Sequence, residues 1–261
     1  MSGSHGQILI CRNIDEVLQE AASGIIDAAQ NTIASEGVFT LALSGGSTPR
    51  ALYQLLAAPP FADEAPWQQI QIFWGDERHV APDHQDSNYR MAREALLDHI
   101  PIPPENVHRM LSELPNAGAA AITYADEIHR TFGLEPGELP RFDLILLGMG
   151  EDGHTASLFP HSPALAERTA LVVANPVSKL NTTRLTLTLP VINNAARVWF
   201  LISGGAKAEM LKIVLEGSEH SDEYPSQLIA PTDGDLVWLL DAPAAAQLSP
   251  NLRQSAVAGL G

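Results

Sequence analysis

The chain has one cysteine and three lysines in 261 residues, and no apolar run approaches the ~20 residues that a membrane-spanning helix needs. The lone Cys11 excludes an intrachain disulfide framework and a cysteine-rich metal site, and it reads as a half-buried structural thiol. Basic residues are scarce: 15 Lys+Arg stand against 31 Asp+Glu, a net charge of −16. That balance argues against nucleic acid and anionic membranes as partners, because both are held by clustered positive charge. A small phosphorylated ligand remains compatible, since it needs only a few local donors. The N-terminus lacks the basic-then-apolar order of a signal peptide, so a cytoplasmic location is the simplest expectation. The nine histidines include no His-Glu-x-x-His or other familiar ligand spacing, so no metal is expected; the glycine loop at residues 44–49 lacks the dinucleotide pattern, and no cofactor is expected.

What is present is an ordinary apolar content, 45%, in a chain long enough for one large α/β domain. Met1–Gly6, small and polar, reads as a disordered start. Apolar residues from Ile14 to Ile33 recur at helical spacing, predicting a helix over 14–35 capped by Asn13 and stopped by Gly37. Strands are expected at 38–43, 70–74, 142–147, 171–174, 184–189, 198–202 and 236–240. Helices are expected from Pro49 to Leu56, over 86–98, over 117–132, briefly from Pro190, to about Leu215, and in the alanine-rich C-terminal stretch. No clean linker or repeat interrupts them. This alternation predicts a single-domain, Rossmann-like α/β fold: an open, mostly parallel sheet with helices on both faces and ligands beyond the strands' carboxyl ends.

Glycine loops fall at those ends. In Gly148-Met-Gly-Glu-Asp-Gly-His-Thr-Ala-Ser157 a buried strand delivers Asp152 and His154 to a turn. A histidine there can accept a proton near neutral pH while a carboxylate fixes its tautomer; the alternative is a structural turn with a solvated histidine. Ser44-Gly-Gly-Ser-Thr-Pro49 offers Gly45, Gly46, a helix start and the hydroxyls of Ser47 and Thr48. Lacking the Gly-Lys-Ser/Thr ending, it suits a monophosphate or carboxylate better than a nucleoside triphosphate, or else it is a serine-capped turn. Ser203-Gly-Gly-Ala-Lys207 repeats the design with an ammonium at the helix start, either reaching an anion or as a solvated lysine on the first turn. Gly75-Asp76-Glu77-Arg78 packs two acids and an arginine into one corner, either to serve a ligand or as a local ion pair. Arg184 opens a strictly alternating strand and by itself suits a surface charge.

Taken in order, Ser44–Pro49, Trp74-Gly-Asp-Glu-Arg78, Ser87-Asn-Tyr89, Gly148–Ser157 and Ser203–Lys207 resemble the 6-phosphogluconolactonase family along nearly the whole chain. The resemblance implies metal-free hydrolysis of 6-phospho-D-glucono-1,5-lactone in the oxidative pentose phosphate pathway. It assigns His154 as general base, Asp152 to shaping the loop or orienting that base, and Arg78 with Asp76 to the oxyanion or substrate. Ser47, Thr48, Lys207 and Arg184 would take the phosphate, with Gly45, Gly46 and Gly153 shaping the substrate loops. Related glucosamine-6-phosphate deaminases share the Asp-Gly-His loop but carry a carboxylate five residues after the histidine, where this chain has Phe159. A non-catalytic sugar-phosphate sensor is the other alternative. The implied partner is a phosphorylated sugar lactone, and no oligomeric state follows from the sequence.

Overall fold

A computed structural model describes residues 6–257 and Gly259; the first five residues of the expected disordered start therefore lie outside the described residues. Among the described residues nine strands form: β1 Gln7–Cys11, β2 Phe39–Leu43, β3 Ile70–Trp74, β4 Asp76–Arg78, β5 Leu144–Leu147, β6 Val172–Val177, β7 Thr182–Leu187, β8 Arg197–Ile202 and β9 Asp235–Asp241. The helices are α1 Ile14–Glu36, α2 Ser47–Leu56, α3 Phe61–Glu64, α4 Asn88–Ala95, α5 Ala117–Phe132, α6 Leu189–Ile192, α7 Ala208–Glu216 and α8 Pro250–Gln254, with short 3₁₀ turns between them.

Six strands make one sheet in the order β1-β9-β8-β5-β2-β3, with every neighbouring pair parallel. Parallel order puts the carboxyl ends of β2, β3, β5 and β8 along one edge, where the four glycine loops leave. β2 and β5 are buried at every residue, as expected when both faces of a parallel sheet are covered. The architecture is thus the open parallel α/β sheet that the alternation predicts, in a single domain.

Local chemistry sets the element ends. Asn13 accepts a hydrogen bond from the Glu16 backbone N–H, and Gly37 closes α1 with φ of 84°. The long apolar face between them buries Val17, Ala21, Ile25 and Ala29.

Several expectations are corrected. Gln7–Cys11, unassigned from sequence, is an edge strand held by β9. The Asp76–Arg78 corner is extended backbone: after Gly75 the chain leaves the parallel sheet, and β4 joins an antiparallel sheet ordered β4-β7-β6. Arg184, which by itself suits a surface charge, is half-buried in β7 and lines a cleft. Leu185 and Leu187 are fully buried, and so is Thr186, whose hydroxyl donates to the Leu187 carbonyl at 2.9 Å. The helix expected over 86–98 is shorter, ending at Ala95. The alanine-rich stretch after β9 is a run of turns, with the Asp241 carboxylate accepting from the Ala244 N–H at 2.8 Å. Cys11 is buried rather than half-buried, and burial, then Glu20, Glu16 and Asp241, push its thiol up to about 11.

Candidate active site

A cleft of about 490 Å³ opens between the carboxyl edge of the parallel sheet and the small antiparallel sheet. One wall of it is the loop after β5. The Asp152 carboxylate lies 2.5 Å from Nδ1 of His154, and its second oxygen lies 3.2 Å from Nζ of Lys179. The hydrogen bond to His154 is the main reason the Asp152 carboxyl is held far below the usual carboxylate range; Lys179 adds to it and burial opposes it. With Asp152 ionised, Nδ1 is the protonated nitrogen and Nε2 is left as an acceptor. Phe159 stacks on the imidazole with centroids 4.2 Å apart and planes 22° from parallel. The loop depends on Gly150, because a Cβ there would stand 2.1 Å from Nδ1 of His154.

The small sheet supplies the arginines. Arg78 on β4 and Arg184 on β7 are direct register partners, and both line the cleft. Arg78 donates to the Asp86 carbonyl, yet Nε of each arginine is buried without a hydrogen-bond partner among the described residues. Burial first, then the charge of Arg78, lowers the proton affinity of Arg184, while Asp76, Glu77 and Asp86 oppose the shift. Two facing guanidiniums with unmet donors favour an anion between them.

Asp76 and Glu77 divide their work. Asp76 faces the cleft and is fixed by Ser157 Oγ at 2.6 Å and Asn88 Nδ2 at 3.3 Å. Glu77, buried, accepts from the backbone N–H groups of Arg78, Asn88 and Tyr89, each at 2.7 Å, and from Ser87 Oγ at 3.0 Å. Burial raises its carboxyl against those bonds. Its position at the start of α4 makes it a structural clamp on the segment that carries Asn88.

Of the residues expected at a site, His154, Asp152, Arg78, Asp76, Arg184, Lys207, Gly45 and Gly46 line this one cleft. Ser47, Thr48 and Gly153 do not. Ser47 is exposed at the first residue of α2, and Thr48 Oγ1 shares a hydrogen bond of 2.9 Å with Ser203 Oγ, tying the two Ser-Gly-Gly loops together. Gly153 is buried beside Tyr224, and its carbonyl accepts from the Ser226 N–H and Oγ, each at 2.9 Å. The Ser203 loop is set from β9, where the Asp241 carboxylate accepts from the Gly204 N–H at 3.0 Å. Sequence reasoning missed Ser44, Ser157 and Lys179 as cleft residues. Ser44 and Ser157 stood inside quoted motifs, while Lys179 carried no local signal beyond being one of three lysines. Among the described residues no group of three or more His, Cys, Asp or Glu is arranged to hold a metal ion.

An open parallel sheet whose terminal loops, together with the small antiparallel sheet, gather a histidine–aspartate pair and four cations defines an α/β protein with a cleft suited to a small anion. The chain belongs to the glucosamine-6-phosphate isomerase/6-phosphogluconolactonase family, whose family model matches residues 12–238. It is 45% identical over 241 residues to a 6-phosphogluconolactonase of Nostoc sp., covering 92% of this chain and 94% of that protein. The structure of 6-phosphogluconolactonase from Trypanosoma cruzi superimposes with a TM-score of 0.83 at 31% identity, over 94% of this chain and 97% of that one. A monomeric glucosamine-6-phosphate deaminase shares the fold with a TM-score of 0.77 at 23% identity, over 92% and 99%.

Proposed function

We propose that this chain hydrolyses 6-phospho-D-glucono-1,5-lactone to 6-phosphogluconate, the reaction of the oxidative pentose phosphate pathway. The observation that carries the reading is the convergence of His154, Asp152 and the cations Arg78, Arg184 and Lys207 on one cleft. Relatives named 6-phosphogluconolactonase that align over nearly their whole length support the substrate.

In this mechanism Nε2 of His154 takes a proton from water, and the hydroxide adds to the lactone carbonyl carbon. The tetrahedral oxyanion is stabilised by Arg78. Collapse breaks the bond from that carbon to the ring oxygen, and the imidazolium returns its proton to the departing oxygen. Asp152 keeps Nδ1 protonated throughout and offsets the charge of the imidazolium. Lys207 and Arg184, with the Gly45–Gly46 backbone, hold the phosphate, and Asp76 orients the arginine side of the cleft. No step calls on a metal. The stacked Phe159 favours this reaction over deamination, since it sets an apolar ring against His154 where the deaminase pattern has a carboxylate. A cytoplasmic location belongs to the same proposal; the single cysteine supports it, and no helix among the described residues is long and apolar enough to cross a membrane.

Freshly generated 6-phosphogluconolactone is expected to disappear well above its spontaneous rate in chelator-treated enzyme, with His154→Ala slower by about 10²–10⁴-fold. No acceleration by the wild type overturns the reading, and unchanged turnover in His154→Ala removes the base assignment.

A further inference from the structure

Lys179 lies at the tip of the hairpin formed by β6 and β7, where Val177 and Thr182 are the last register pair. Ser178–Leu180 makes a single 3₁₀ turn. Asn181 closes it in the left-handed region at φ of 46°, with its N–H donating to the Ser178 carbonyl at 3.1 Å. The tip hangs over the cleft, so Lys179 and Leu180 both line it. The ammonium meets the one oxygen of Asp152 that His154 does not use, Oδ2 at 3.2 Å against Oδ1 at 2.5 Å.

We propose that Lys179 is a positioning residue for the hydrolysis, holding the Asp152 carboxylate in the plane that orients the His154 ring; this rests on the lactonase reading above. A carboxylate anchored through one oxygen turns readily about its terminal torsion, which has broad minima. Anchored through both oxygens, it has one orientation. The two anchors come from different sheets: Asp152 and His154 follow a strand of the parallel sheet, and Lys179 comes from the antiparallel one. The geometry of the base therefore depends on how the two sheets meet. With its side chain 72% exposed, Lys179 contributes little to folding. Its effect is expected in orientation, and it passes through Asp152 rather than through the lactone's phosphate.

The test compares Lys179→Met and Lys179→Arg, alone and with Asp152→Asn, on 6-phosphogluconolactone and on unphosphorylated glucono-1,5-lactone. Lys179→Met is expected to lower kcat about tenfold on both lactones, less than the ~10²-fold that an ångström of misplacement can cost, with KM changed less than twofold. Lys179→Arg should restore most of the loss, and Lys179→Met should cost nothing further once Asp152→Asn is present. An unchanged kcat, a loss multiplicative with Asp152→Asn, or a loss confined to KM for the phosphorylated lactone overturns the proposal. A second measurement is independent of turnover. The proton NMR resonance of the His154 Nδ1–H, assigned by its disappearance in His154→Ala, should broaden or vanish in Lys179→Met. If it is unaltered, Lys179 does not position the pair; if the wild type shows no lactonase activity while the resonance responds, only the functional reading falls.

Discussion

At the scale of single residues, the imidazole of His154 is held on its edge by Asp152 and on its face by Phe159, leaving Nε2 as its working nitrogen. Such a ring is sensitive to its supports. Gly150→Ala would place a methyl group 2.1 Å from Nδ1 of His154 and 2.6 Å from Oδ1 of Asp152. Steady-state kinetics on the lactone should show kcat reduced by about 10²-fold or more, and a wild-type rate would mean that the loop can open without disturbing the base. The pair itself was legible in the sequence because Asp152 and His154 are two residues apart on a loop that follows an apolar strand. Lys179 was not, since 27 residues separate it from Asp152; Arg184 was named only through the family resemblance, because strand pairing rather than any local pattern brings it opposite Arg78. His108 gave no local sign of its role either. It is buried against Phe73, with its two ring nitrogens 2.6 Å from Glu127 and Gln71, which are distant in sequence.

At the scale of elements, hydrogen bonds to neighbouring backbone decide where strands and helices begin. Asn13 and Gly37 mark the ends of α1 in the sequence as they do in space. Glu167 does comparable work before β6, though nothing in its surroundings flags it. Its carboxylate accepts from the N–H groups of Ala170 and Arg168 at 2.9 Å and of Thr169 at 2.7 Å, and from Thr169 Oγ1 at 2.9 Å. These bonds, that from Ala170 foremost, pull its pKa down to about 2. A carboxyl depressed by folding stabilises the protein above its ordinary value near ~4.3, and that contribution is lost as pH falls toward 2. Urea denaturation should therefore find Glu167→Gln less stable than wild type by about 1 kcal/mol at pH 7, with the gap closing as pH is lowered below about 4. A gap independent of pH would assign the loss to shape rather than charge. The antiparallel sheet is the element that sequence reasoning did not resolve. β4 is three residues long, too short for a period to emerge, and in β7 Thr186 is as fully buried as the leucines on either side of it.

At the scale of the whole molecule, a chain with a net charge of −16 concentrates four of its 15 Lys and Arg residues in one cleft. A small anion can bind there despite the overall field, because nearby donors outweigh distant charges that salt screens. Its ligands come from both sheets, so binding should tie them together. 6-Phosphogluconate added at about 100 times its Kd should stabilise the fold by ~2.7 kcal/mol, read as a rise in Tm. Lys207→Ala should lose most of that rise at the same product concentration; an identical rise would remove Lys207 from the anion site.

The sequence by itself determined the parallel α/β sheet, the ends of its longest helix and the chemistry of the Asp152–His154 loop. All three depend on residues within a few positions of one another, where periodicity, capping and glycine placement act directly. The tertiary structure decided which cations share the cleft, that Ser47 and Thr48 stand beside it, and that Lys179 completes the Asp152 carboxylate. Those contacts join segments far apart in the chain, and no local pattern encodes a distance set by how two sheets pack.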